Sequence, residues 1–100
     1  MERAHISAAE LSSAAGVRLI DIRKAPDAQQ IPGSERRDGS KLEDGSDVPF
    51  TQQERVVLYC GSGNSCTRIA HALRERGYNV AALEGGYKGW VEAGFPTEPI

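Results

Sequence analysis

Apolar residues along the chain gather into three short runs and one stripe. Residues 17–22 (Val-Arg-Leu-Ile-Asp-Ile), 56–60 (Val-Val-Leu-Tyr-Cys) and 79–83 (Asn-Val-Ala-Ala-Leu) are rich in branched and other apolar side chains. Each gives way to glycine, proline or polar residues, which is how a largely buried strand reads. Between the second and third runs, Cys66, Ile69, Ala70 and Leu73 recur at i, i+3, i+4 and i+7. That spacing predicts one apolar helix face, with Arg68, His71, Arg74 and Glu75 directed elsewhere and Gly77 supplying a left-handed cap. Ser7 followed by Glu10 forms a capping box for a short helix through Ala8, Ala9, Leu11 and Ala14 that Gly16 ends, preceded by a brief strand at His5 and Ile6. Gly85-Gly86 predicts a turn, and residues 87–93 a closing helix carrying Trp90 before Gly94 and Pro96. Residues 31–55 break the pattern, with Gly33, Gly39, Gly45, Pro32 and Pro49 among charges and only Ile31, Leu42, Val48 and Phe50 apolar. They are expected to form a long surface excursion with at most one short strand. Strands alternating with helical segments predict an α/β fold with a parallel sheet of about four to five strands and helices on its faces.

Composition narrows the picture. At 100 residues, with 39% hydrophobic and 26% charged positions, the chain suits one soluble globular domain, spanning 1–100. Its formal net charge of -2 provides no general basic field, so nucleic acid is not an expected partner. No apolar run approaches the ~20 residues of a membrane helix. The opening residues 1–6 have no signal-peptide apolar region, so a cytoplasmic location and no membrane partner are expected. Cys60 and Cys66 are too few for a disulfide scaffold and, with two separated histidines, assemble no four-ligand zinc pattern. His5 and His71 are read as structural, and no metal is expected. If these thiols matter, they matter through reactivity.

Cys60 closes a buried strand and is followed by Gly61-Ser62-Gly63-Asn64-Ser65, a tight loop that opens directly into the striped helix. In an open α/β sheet, ligands bind beyond the carboxyl ends of the strands, where Cys60 falls. Small residues let successive N–H groups turn inward as an anion-binding nest, and the helix adds the positive end of its dipole. Such a field lowers a thiol pKa below its free value of about 8.5 and makes a nucleophile at neutral pH.

Residues 59–66, Tyr-Cys-Gly-Ser-Gly-Asn-Ser-Cys, resemble the active-site loop of rhodanese-type sulfurtransferases. Leu19-Ile20-Asp21-Ile22-Arg23 resembles that family's early strand motif, Ile31-Pro32-Gly33-Ser34 its Ile-Pro-Gly turn, and residues 83–90 its final strand-turn-helix signature. With residues 74–78 between them, these blocks cover the chain in family order. The resemblance implies a rhodanese-like sheet flanked by helices and a sulfurtransferase in which Cys60 is catalytic. Cys60 would take sulfur from a small donor (thiosulfate, 3-mercaptopyruvate or a persulfide) and pass it to a thiol acceptor or a sulfur-accepting protein, with no cofactor. Gly61, Ser62, Gly63, Asn64, Ser65 and Arg68 would contact the donor, while Asp21 and Arg23 would serve as structural support.

The resemblance has particular features. Many members carry a cation at the second or sixth loop position, where this chain has Gly61 and Ser65. Cys-Gly-Ser-Gly is similar to the loop of 3-mercaptopyruvate sulfurtransferases, in which Ser62 or Ser65 would hydrogen-bond the sulfur or the departing enolate. The stretch 23–31 is about two residues shorter than the family pattern, with Gln30 where histidine is common. Cys66 lies on the apolar stripe and is read as packing under the loop, with a resolving thiol as the alternative. Arg36, Arg37 and Lys41 are read as part of a solvated loop, able to supply the missing charge only if the excursion folds over the site. The competing functions are a non-catalytic or thiol-redox regulatory module and, less favoured, an arsenate reductase or phosphatase. The last would need arginine at position 66, and the first arginine after the loop is Arg68.

Overall fold

The computed structural model describes residues 3–25 and 28–100. Residues 1–2 of the opening stretch, and 26–27 of the shortened stretch, lie outside the described residues. In chain order the elements are β1 (His5–Ile6), α1 (Ala8–Ser13), β2 (Val17–Asp21), β3 (Gln29–Gln30), β4 (Glu35–Arg36) and α2 (Gly39–Asp44), followed by β5 (Arg55–Tyr59), α3 (Asn64–Glu75), β6 (Val80–Leu83), α4 (Gly86–Glu92) and β7 (Glu98–Pro99). The main sheet has five strands in the order β1-β6-β5-β2-β4, every pair parallel. β3 and β7 form a separate antiparallel pair. The fold is the α/β arrangement that the alternation of runs and stripe implies.

Strand periodicity divides the interior into two layers. Ile20, Val56, Leu58, Val80 and Ala82 face the side covered by α2 and α3, where they pack with Leu42, Ile69 and Leu73. Leu19, Val57, Tyr59, Ala81 and Leu83 face the other side, with Leu11 of α1 and Trp90 of α4. Burying each Leu or Ile contributes roughly 1.5–3 kcal/mol, so β5 and β6, covered on both faces, anchor the fold. The capping box forms as expected: Ser7 Oγ accepts from the Glu10 N–H at 3.1 Å, and the Ser7 N–H donates to Glu10 Oε1 at 3.1 Å.

The segment 31–55 departs from its expected form. It contains the one short strand expected, β4, but it also supplies a helix and three buried side chains, Ile31, Leu42 and Phe50, which a surface excursion would not. β4 pairs Glu35 with Ile20 and Arg36 with Asp21. α2 is capped by Asp38, which accepts from Ser40 N–H at 3.0 Å, and is ended by Gly45 in the left-handed region. Two-residue strands and six-residue helices carry too few apolar positions for a period to be visible. Long-range pairing determines them.

Candidate active site

Cys60 follows the last residue of β5 at the carboxyl edge of the sheet, and its sulfur is enclosed by the loop that leads into α3. Gly63 N–H donates to Cys60 Sγ at 3.1 Å and Cys66 N–H at 3.4 Å. Gly63 adopts φ +99° and is the cap residue of α3, so the turn that aims its N–H inward is one that L side chains rarely adopt. The first turn of α3 thereby serves as an anion nest.

The backbone of the loop is held from the other side by α4. Tyr87 N–H donates to Cys60 O at 2.8 Å, and Lys88 N–H to Gly61 O at 3.0 Å. The Gly85-Gly86 turn, read from sequence only as a turn, presses directly on the cysteine loop. This buttress could have been inferred from β6 ending beside β5 at the same sheet edge.

These donors have an electrostatic consequence. The Cys60 thiol is brought down from its usual 9.0 to about 5, chiefly by the Cys66 thiol beside it and then by the N–H groups of Cys66, Gly63 and Ser65, all against the cost of burial. The Cys66 thiol is pushed well up, first by its contact with Cys60 and next by burial. Cys66 is fully buried, and its Sγ donates to Gly63 O at 3.4 Å and toward Leu83 O at 3.9 Å. It packs under the loop.

The thiolate is the reactive form, so the Cys60 alkylation rate should be flat above about pH 6 and fall by half near pH 5. An unperturbed cysteine would still be gaining reactivity at pH 8. Folding favours the thiolate, so its contribution to stability is full above the usual 9.0 and is lost as pH drops to about 5. A pH–rate profile with iodoacetamide, read by intact mass, checks the midpoint; a midpoint above 8 would dismiss the nest as the source of activation.

Cys60 opens onto a cleft of about 970 Å³. On its loop side lie Gly61, Ser62, Ser65 and Arg68, whereas Asn64 begins α3 with an exposed side chain outside the lining. The lining also includes Lys24, Arg36, Arg37, Asp38 and Ser40, from the carboxyl ends of β2 and β4 and the start of α2. Arg36 and Arg37 were expected in a solvated loop, but the pairing of β4 with β2 turns that segment into a wall of the cleft. Lys41 is exposed and is not among the lining residues. Sequence reasoning did not single out Lys24.

Asp21 and Arg23 lie beneath this wall. Asp21 is fully buried and accepts from the Arg23 N–H at 2.9 Å, from Arg23 Nε at 3.1 Å, from Arg23 Nη2 at 2.8 Å and from Arg36 Nη1 at 3.3 Å. The Arg23 guanidinium lies 4.1 Å from the ring centre of Tyr87 and 5.6 Å from that of Tyr59. Burial pushes the Tyr59 hydroxyl up to about 12, leaving it a neutral partner of Ser34 at 2.7 Å. Among the described residues no group of three or more His, Cys, Asp or Glu comes together to hold a metal ion, and no helix is long and apolar enough to cross a membrane.

Residues 6–93 match the family model for the rhodanese-like domain. A thiosulfate sulfurtransferase (GlpE) of Actinobacillus succinogenes is 46% identical over 44 residues, a match spanning 43% of this chain and 40% of that protein. A rhodanese-related protein of Thermoplasma volcanium superposes with a TM-score of 0.83 at 23% identity, covering 96% of this chain and 98% of that one. A protein of Rhodopseudomonas palustris described as a possible tyrosine phosphatase superposes with a TM-score of 0.74 at 29% identity, covering 92% and 82%.

Proposed function

Since this chain belongs to the rhodanese-like domain family, we propose that it is a sulfurtransferase working through a persulfide on Cys60. The observation that carries this reading is a cysteine whose sulfur accepts from two inward N–H groups, at the mouth of a cleft and without a carboxylate in its loop. Nucleophilic catalysis needs that combination of lowered pKa and access. With thiosulfate as donor, the Cys60 thiolate attacks the outer sulfur, a new S–S bond forms to Cys60, and the old S–S bond breaks with its electron pair leaving on sulfite. An acceptor thiolate then takes the outer sulfur, and Cys60 regains the electron pair. No external oxidant is required. The N–H donors that hold the thiolate suit the persulfide anion equally well, because charge moves only one atom outward.

The likeness to a thiosulfate sulfurtransferase over part of the chain supports thiosulfate, and the neutral Cys-Gly-Ser-Gly loop keeps 3-mercaptopyruvate as the second donor to test. In this reading Cys66 is a member of the cradle rather than a resolving nucleophile, because its thiol is pushed up beside Cys60 and its N–H donates to the Cys60 sulfur. The phosphatase reading prompted by the Rhodopseudomonas palustris likeness has less support, because position 66, where such a loop would carry its phosphate-holding arginine, is a cysteine.

Intact mass after incubation with each donor tests the proposal. The protein should gain one sulfur, the gain should vanish in Cys60→Ser, and it should persist in Cys66→Ser. A folded protein that gains no sulfur from thiosulfate, 3-mercaptopyruvate or a small persulfide would refute the reading. Loss of two protons dependent on both cysteines would assign a redox role to the pair.

A further inference from the structure

The cysteine loop carries no cation, yet the cleft it faces is strongly basic. Arg23, Lys24, Arg36, Arg37 and Arg68 line it against only Asp38 and Glu43, in a chain whose net charge is -2. Most of these cations are already engaged. Arg23 is locked on Asp21 and also donates to Gln29 O at 2.7 Å. Arg36 donates to Asp21 at 3.3 Å and to Arg23 O at 3.0 Å. Arg68 is held by Glu43 at 2.8 Å.

Two remain available. The Arg37 guanidinium has one 3.4 Å contact, to Glu35, whose carboxylate is already bound by Arg18 at 2.5 and 3.0 Å. Its backbone N–H is fixed on Asp21 O at 3.0 Å, so the side chain starts from a defined point on the wall. Lys24 is exposed and makes no ion pair or hydrogen bond among the described residues. Both acids of the cleft are also satisfied: Asp38 caps α2, and Glu43 pairs with Arg68. The uncommitted charge of the cleft is therefore positive and comes from residues outside the cysteine loop.

We propose that Arg37 and Lys24 are the specificity-determining residues of the site, binding the sulfonate or carboxylate end of an anionic donor while its sulfur meets Cys60. The inference rests on the sulfurtransferase reading for the word donor, but the anion site itself does not. A donor with its charge remote from the attacked sulfur fits this arrangement, because the N–H groups that hold the Cys60 sulfur and the two cations belong to different segments of the chain.

The test compares the rates at which iodoacetate, an anion, and iodoacetamide, its neutral counterpart, alkylate Cys60 in low salt. In Arg37→Gln or Lys24→Gln, the iodoacetate-to-iodoacetamide ratio should fall about three- to fivefold, the scale of one partly exposed charge interaction. In the double variant it should fall roughly tenfold, and added salt should abolish the difference. The iodoacetamide rate alone should change less than twofold, and Arg37→Lys should restore most of the ratio. An unchanged ratio in the double variant would overturn the proposal. Sulfur uptake from thiosulfate, measured on the same proteins, separates the two failures. Uptake by the natural chain with a flat ratio in the variants defeats the anion site alone, whereas a falling ratio in the variants of a natural chain that takes up no sulfur upholds the anion site and defeats the sulfurtransferase reading.

Discussion

Gly86→Ala is expected to dismantle the cysteine cradle while leaving the sheet in place. Gly86 has φ +60°, where an L side chain costs roughly 1–2 kcal/mol. A Cβ there would lie 2.6 Å from Cys60 O, 2.7 Å from Gly63 N and 2.9 Å from Gly61 O. All three atoms are backbone, so no side-chain rotation relieves the clash. The loop must move away from α4, breaking the Tyr87 and Lys88 N–H bonds to Cys60 O and Gly61 O and turning the Gly63 N–H off the sulfur. The Cys60 pKa should then climb by at least about one unit, equivalent to roughly 1.4 kcal/mol. Sulfur transfer should fall on the order of a hundredfold or more, and stability by about 2–4 kcal/mol. Gly61→Ala is the internal control: its Cβ would meet nothing within 4 Å, so stability and pKa should stay near those of the natural chain. The alkylation pH profile and urea unfolding of both variants measure this contrast. Equal behaviour of the two would mean that the Gly85-Gly86 turn does not support the loop.

Asp21→Asn should cost about 3–5 kcal/mol of stability, the range for removing one partner of a buried ion pair. Asp21 accepts from both Arg23 and Arg36, and without its charge Arg23, only 8% exposed, loses the carboxylate that its Nε and Nη2 both contact. Removing the half-exposed Glu35 from its pair with Arg18 should cost about 1 kcal/mol or less, as partly solvated pairs do. Replacing Asp21 and Arg23 together by apolar residues should be less damaging than Asp21→Asn alone, because no buried charge is then stranded. Urea unfolding with a common m-value provides the comparison. A loss under 1 kcal/mol for Asp21→Asn would show that the network is not a structural anchor. The same substitution removes one of the two acceptors that hold Arg36, leaving its bond to Arg23 O, so anion discrimination at Cys60 should also change.

What could be read from the chain alone was whatever local pattern determines. The β2, β5 and β6 runs and the α3 stripe bury enough apolar area to be recognised from periodicity. Their alternation with helices requires parallel pairing, and parallel pairing puts Cys60 at the end of the sheet where ligands bind. The glycines and small residues of the loop already implied a nest, and Cys66 on the stripe implied burial. Tertiary structure decided the rest. β4 has two residues, both charged, and becomes a strand only because Ile20 and Asp21 offer it an open edge. That pairing makes Arg37 part of the cleft and ties Arg36 to Asp21, outcomes that no spacing within residues 31–55 encodes. Likewise Gly86 is confined by atoms more than twenty residues away in sequence, so its role depends on how β5 and β6 lie side by side. Periodicity records which face a residue buries, whereas the partners across a cleft are chosen by the packing of elements distant in sequence.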